Sequence, residues 1–294
     1  MDGYVEMGNY DSAIVNADRM ESVRPDIRSY SRISYLREIH GDYPGAIEAM
    51  QMAVHAGGQG DETTEWTRIQ LGRLYENTGD LKNAKMHYTI ALNERPDYPF
   101  ALAGLARIAV SEKDYAAAIG FYKKADSLIN DFSIREELAD VYVLAGQKIS
   151  ADSLMNIVIA KLNDDEQSGR SDENIGHYAD RELAYAYLKV NRYDQALEHA
   201  LLEYNRRPDN IDVNETVAWV YYCKKQYAEA LPYLRTALKT HSENPVLLYR
   251  AGLIYAKAGK QNEAKTILKK AMSTDSNIAM VLKKEGFDTW QSLQ

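Results

Sequence analysis

"YENTGDLKNAKMHYTIALNERPDY", residues 75–98, sets a Gly-Asp turn inside an otherwise helical run and a proline near its end. The same skeleton returns in "YAKAGKQNEAKTILKKAMSTD", residues 255–275. On both sides of the glycine the apolar residues recur at three and four spacings, which is one face of a helix. Glycine supplies the left-handed backbone that a tight turn between two helices needs. The stretch therefore predicts one helix that ends near Asp80 and a partner helix over 81–94.

Working outward at a period of 34, a small residue recurs at Gly72, Ala106, Ala139, Ala184, Ala218 and Gly252. Twelve positions later alanine recurs at Ala84, Ala118, Ala151, Ala196, Ala230 and Ala264, and the register extends upstream to Ala46 and Ala13. Tyr4, Tyr75, Tyr142, Tyr187, Tyr221 and Tyr255 fill a further column; Tyr88 and Tyr122, with Met50, Met155, Leu234 and Leu268, fill another. Strand signals are nearly absent. Small residues let paired helices approach, and large ones fill the gaps between them.

The columns resemble the tetratricopeptide repeat family, whose 34-residue helix-turn-helix unit carries large, small, tyrosine, alanine, aromatic and proline positions in that order. The resemblance covers almost the whole chain and implies an all-α fold, a right-handed α-solenoid or superhelix whose concave wall is built from the first helix (A) of each repeat. It implies a single solenoid over 1–294, with a partial repeat at 1–26, repeats at 27–64, 65–98, 99–131, 132–165, 177–210, 211–244 and 245–278, and a C-terminal cap at 279–294. Departures are the mostly lost tryptophan column, Arg37 in place of a tyrosine, Glu203 in place of a small residue and an insertion at 166–176.

The 294 residues show no composition shift or linker that divides them, and the formal charge is -8. Such a charge repels a phosphate backbone, so nucleic acid is not an expected partner. Cys223 is the single cysteine, which excludes an internal disulfide and leaves the compartment open. No run approaches the roughly 18 apolar residues of a membrane span, and "MDGYVEMGNY" has neither the basic nor the apolar part of a signal peptide.

Chemistry-bearing motifs fail on inspection. "HAGGQGDETTEW", residues 55–66, lacks the Gly-Lys-Ser/Thr of a phosphate loop and carries Asp61 and Glu62, which repel an anion; it reads as a lengthened loop between repeats, with a helix starting at 61–64. Asp164, Glu166, Ser168, Gly169 and Asp172 stand at calcium-loop spacings, yet Ile175 occupies the closing position that needs a bidentate glutamate. His40, His55, His87, His177, His199 and His241 are scattered over separate repeats without the paired spacing of a helical zinc site. No metal, cofactor or catalytic residue is expected, and enzyme activity would need a further domain. Cys223 reads as a small hydrophobe within helix A.

The resemblance places a partner-binding groove on helix A. The position after the small residue gives Tyr35, Arg73, Arg107, Asp140, Tyr185, Trp219 and Leu253; flanking columns add Glu38, Glu76, Asn77, Glu136, Arg181, Glu215, Tyr222 and Tyr249. Arg73 and Arg107 are expected one above the other, and Tyr185, Trp219, Tyr222 and Tyr249 as an aromatic wall. The bland alternative packs the aromatics between repeats and pairs the arginines with Glu76 or Glu136. Arginine and tryptophan are typical interface anchors, so the expected function is a non-catalytic scaffold for a peptide or helical segment of another protein, with arginines meeting acidic groups. The alternative is a small-molecule or glycan receptor on the aromatic half.

In the common register Tyr4, Gly8, Ala13, Ala17 and Pro25 fall in repeat columns, which places Met1 at the eighth position of a helix A. A repeat array cut there exposes apolar residues, so the chain is expected to be a fragment, or Met1 not to be the biological start, with further repeats and an export signal or lipid anchor upstream. Residues 1–26 should then exchange amide hydrogens fastest unless a second copy covers them, giving a monomer or an edge-to-edge dimer. Similar bacterial repeat proteins are often exported, which implies an extracytoplasmic location with such a signal and a cytoplasmic one without it.

Overall fold

The computed structural model describes residues 1–171, 178–274 and 280–294, with the backbone alone for 166–171. The described residues are helical and carry no strand. In order the helices are α1 (Asp2–Glu6), α2 (Tyr10–Val23), α3 (Ile27–Ile39), α4 (Tyr43–His55), α5 (Glu62–Asn77), α6 (Leu81–Glu94), α7 (Pro99–Ser111), α8 (Tyr115–Leu128), α9 (Phe132–Leu144), α10 (Lys148–Ser171), α11 (Asp180–Lys189), α12 (Tyr193–Arg206), α13 (Ile211–Cys223), α14 (Tyr227–Ala237), α15 (Pro245–Lys257), α16 (Gln261–Ser273) and α17 (Met280–Ser292). The chain forms two compact units. Unit 1 holds Met1–Val5, Asn9–Asn130 and Thr240–Gln294; unit 2 holds Glu6–Gly8 and Asp131–Lys239. In unit 1 the helix pairs are α3/α4, α5/α6, α7/α8 and α15/α16, and in unit 2 they are α9/α10, α11/α12 and α13/α14, each pair packed as a hairpin.

The turn of residues 75–98 shows why the skeleton repeats. Gly79 has φ +81°, its N–H donates to the Glu76 carbonyl at 3.0 Å, and the Asp80 N–H reaches back to the Tyr75 carbonyl at 2.9 Å. The pair of bonds satisfies carbonyls that a helix end leaves open. Gly259 repeats it, with Lys260 N–H on the Tyr255 carbonyl at 2.8 Å. The equivalent turns use Gly8, Gly41 and Gly146, but also Lys113 (φ 63°), Asn191 (φ 60°) and Lys225 (φ 62°). A lysine in that region crowds its Cβ against the next carbonyl. Lys113→Gly is therefore expected to stabilise the fold by about 0.5–1 kcal/mol after the larger unfolded-state entropy of glycine is deducted. A rise in urea midpoint at unchanged m-value is the expected reading, and a fall would contradict it.

Helix starts differ along the chain. Asn9, Asp42, Asp80 and Asp114 follow their turns and cap the next helix, accepting from the backbone N–H of Ser12, Gly45, Asn83 and Ala117. Arg192, Gln226 and Lys260 stand at the same place and make no such bond. The alanine column is the seam within each hairpin: Ala13, Ala46, Ala84, Ala118, Ala196, Ala230 and Ala264 have no exposed surface. Where the sequence departs from the family pattern, polar bonds take over. Arg37 donates to the Gly45 carbonyl at 2.9 Å. Glu203 is buried in unit 2 and holds both Arg206 and Arg207.

The first residues are tied to other parts of the chain. Val5, Tyr10, Ala13 and Ala17 are buried, although Met7, Val15 and Val23 remain exposed. Asp2 is bonded by Arg32 at 2.8 and 2.5 Å. Within unit 2 the Glu6 carboxylate pairs with Arg207, and the Glu6 carbonyl accepts from the Asn210 side chain at 3.1 Å. Lys239 Nζ joins the carbonyls of Gly8 (3.1 Å) and Asp209 (2.6 Å). A Cβ at Gly8 would lie 2.1 Å from the Asp209 carbonyl oxygen, so only glycine fits this contact. Arg207, Asn210 and Lys239 come from positions more than 200 residues away, which no local pattern could announce.

Candidate functional site

The helix-A columns fall partly in unit 1 and partly in unit 2, and the two sets behave differently. In unit 1, Arg73 is exposed and Tyr35 half-buried. Arg107 is not an open anchor: its Nε donates to Glu76 Oε1 (3.1 Å) and Oε2 (3.0 Å), and Nη2 donates to the Tyr88 hydroxyl at 3.2 Å. Glu76 is buried, so the pair is an internal tie between α5 and α7. Asn77 likewise reaches the neighbouring repeat, donating to Glu38 Oε1 at 3.1 Å. The bland reading wins for Arg107, Glu76 and Asn77.

Tyr249 does not join an aromatic wall. It is 2% exposed and packs with Leu248, Leu268, Leu282 and Trp290 under α17. A Cβ on Gly286 would come within 2.6 Å of its ring. The final helix covers this position where the column alone leaves it open.

Unit 2 keeps a coherent surface on α9, α11 and α13. Trp219 and Tyr222 stack at 4.7 Å between centroids and 11° between planes, and Tyr222 meets Tyr227 at 5.6 Å. Tyr185 is half-buried, and its hydroxyl accepts from Thr216 Oγ1 at 3.3 Å. The Arg181 guanidinium lies 6.0 Å from the Tyr185 ring, and its buried Nε has no hydrogen-bond partner among the described residues. Burial by itself would lower the Arg181 pKa; the charges of Asp212, Tyr185, Glu215 and Glu182 outweigh it and raise it.

The same surface is acidic at α9. Asp140 is exposed and pairs with Lys189 at 2.6 Å; Lys189 also approaches the Glu136 backbone carbonyl at 3.4 Å. The Glu136 carboxylate receives neither bond, and its buried Oε1 has no hydrogen-bond partner among the described residues. Burial pushes this carboxyl up to about 7, helped by Asp140, Glu182 and Glu137 and opposed by Lys189. Around Glu136 and Arg181 stand the carboxylates of Glu137, Asp140, Glu182, Asp212 and Glu215, with Lys189 as the further cation. The balance is negative, whereas the column reading expected arginines to greet an acidic partner.

Sequence reasoning missed Lys189, Glu182 and Tyr227, which lie outside the counted columns. It also missed an internal network in unit 2: Asp180, without exposed side-chain surface, accepts from His199 Nδ1 at 2.6 Å and from Arg206, which also holds Glu203. His199 stacks on Tyr187 at 5.5 Å, and Arg206 lies 4.3 Å from the Tyr178 ring centroid. The acidic residues of that network were visible; their convergence was not.

The motif readings resolve simply. Gly60 of the glycine-rich loop donates its N–H to Glu65 at 3.2 Å and gives its carbonyl to Arg95 at 3.1 Å, so the loop ties two repeats together. Residues 164–171 continue α10 as helix, which is not the backbone of a calcium loop; Asp172, Ile175 and His177 lie outside the described residues. Among the described residues no group of His, Cys, Asp and Glu could hold a metal ion, and no helix is long and apolar enough to cross a membrane. Cys223 closes α13.

Helix hairpins packed one after another within each unit, each closed by the same left-handed turn, define an all-α repeat scaffold of the solenoid class. The chain carries tetratricopeptide repeats: models of that repeat match residues 69–131 and 224–283. A tetratricopeptide repeat protein from Parabacteroides merdae shares its fold at a TM-score of 0.51 and 17% identity, covering 91% of this chain and 98% of that one. A structure of the human IFIT1 dimer with PPP-AAAA matches at a TM-score of 0.52 and 14% identity, over 96% of this chain and 67% of that one. Cellulose synthase operon protein C of Pseudomonas fluorescens is 25% identical over 224 residues, 73% of this chain; the match spans only 16% of that relative's length. Tetratricopeptide repeats in general serve protein–protein interaction, and their presence supports a scaffold role for this chain.

Proposed function

We propose that the α9–α11–α13 surface of unit 2 is where this scaffold takes a segment of another protein. The observation that carries the reading is the stacked Trp219–Tyr222 pair beside Tyr185, with Arg181 and Asp140 at the neighbouring column positions. Aromatic residues bring a large contact area at little conformational cost, and interface energy concentrates on such anchors. The helix pairs accord with repeats at 27–64 through 245–278, and we propose those as the units of the array. In unit 1, Arg73 and Tyr35 remain candidates for a secondary contact; Arg107, Glu76, Asn77 and Tyr249 serve the fold. A glycan receptor is the second reading, favoured by the stacked rings alone.

The test is peptide capture. Trp219→Ala should weaken binding of a natural partner segment by about 30-fold, the loss of a 2 kcal/mol hot spot. Trp66→Ala, at an exposed tryptophan on α5, should leave it unchanged. Equal affinity for wild type and Trp219→Ala would move the site elsewhere, and saturable binding of oligosaccharide without peptide binding would favour the second reading.

A further inference from the structure

Building on that surface, we propose that Glu136, Asp140 and Glu182 form a seat for a basic side chain, so that the segment bound by unit 2 is a lysine- or arginine-bearing one with apolar residues for the aromatic pair. The proposal rests on the reading that this surface binds a protein segment, and it reverses the charge expected of that segment.

Two independent observations converge. The first is charge: Lys189 answers Asp140 at 2.6 Å, leaving two of three neighbouring carboxylates without its direct bond. The second is Glu136 itself. Its Oε1 is buried without a hydrogen-bond partner among the described residues, whereas buried carboxylates such as Glu76, Glu203 and Asp180 each have a cationic partner. Buried polar atoms in native proteins are ordinarily paired. An orphan destabilises, and destabilising groups persist where function uses them.

A guanidinium or ammonium would supply the absent donor. Its charge would favour the ionised carboxylate, while the hydrocarbon part of the side chain could lie along neighbouring apolar surface. Charged groups facing Glu136 are Asp140 and Glu137 on α9 and Lys189 and Glu182 on α11. Their sum is negative, so a second cation is electrostatically admissible beside Lys189. Among the described residues no His/Cys/Asp/Glu group fits a metal ion, so an organic cation suits the donor set better.

The experiment is selection of a random peptide library on the full chain, followed by affinity measurement of the enriched peptides against wild type, Glu136→Gln and Trp219→Ala. Enriched peptides should carry lysine or arginine, and Glu136→Gln should weaken them at least 10-fold at pH 8. The same variant should melt no lower than wild type at pH 8, because the isosteric amide removes a carboxylate that burial disfavours. That combination separates a binding role from a structural one. Enrichment of acidic or uncharged peptides, or equal binding to wild type and Glu136→Gln, overturns the seat. If Trp219→Ala still weakens those peptides, the surface reading stands alone. If neither variant weakens them, or no peptide is enriched, both readings fail.

Discussion

Gly104→Val is expected to destabilise the protein by about 3 kcal/mol, the upper part of the range for overpacking a filled core. A Cβ there would lie 2.6, 2.6 and 2.7 Å from Cδ1, Cγ and Cδ2 of Tyr88. The ring has no retreat. On its other side a Cβ at Gly72 would meet Cε1 at 2.3 Å, so the tyrosine is clamped between the backbones of α5 and α7 and is wholly buried. Moving it would also disturb its hydroxyl contact with Arg107, which holds Glu76. The gain in helix propensity from replacing glycine, a few tenths of a kcal/mol for valine, is too small to compensate. Urea denaturation of Gly104→Val, Tyr88→Leu and the pair checks the geometry. The double variant should be more stable than the sum of the single losses by over about 1 kcal/mol. Simple additivity would show that the clamp is not what the glycine serves.

That clamp marks the boundary of what was legible. Gly72 and Tyr88 stand in repeat columns, so their meeting follows from counting; Gly104 sits two residues before the small column, and nothing in the period singles it out. The turns follow the same division. Gly79 and Gly259 announce left-handed backbone, whereas Lys113 and Lys225 adopt it silently because the helix-end bonds around them outweigh the local preference. Helix extents are governed by the repeat and were readable, as α6 over Leu81–Glu94 illustrates.

The candidate site divides on another physical line. Position on a helix face is periodic, so Asp140, Tyr185 and Trp219 could be placed by number. Pairing is not periodic. Whether Arg107 is open or spent depends on a glutamate 31 residues earlier, and whether Tyr249 lines a surface depends on α17, which follows it by a whole helix. Charge follows the same logic: the polarity of the unit 2 surface turns on Glu182 and Lys189, whose relation to Glu136 is set by the packing of α9 and α11 rather than by the register of either.

Asp180→Asn is expected to destabilise unit 2 by about 3 kcal/mol, the lower end of the loss on breaking a buried ion pair, since Arg206 keeps Glu203 and partial access to water. The amide preserves shape, so packing is not the cause. Asparagine can still accept from one neighbour, but it removes the negative charge that His199 and Arg206 share and presents an N–H₂ group where a carboxylate oxygen accepted. The pH dependence separates this from a generic defect. Burial by itself would raise the Asp180 pKa, but the hydrogen bonds and charges of His199 and Arg206 outweigh it and hold the carboxyl below its usual range. A carboxyl with a depressed folded pKa contributes stability that is fully present above its unfolded value, about 3.8, and is lost as pH falls through the folded value. The gap between wild type and Asp180→Asn should therefore be widest near neutral pH and narrow below about pH 4. Melting curves from pH 7 to pH 3 give the comparison. A gap independent of pH would mean that the asparagine is misfitted rather than uncharged, and the network would then count as packing rather than as an ion pair.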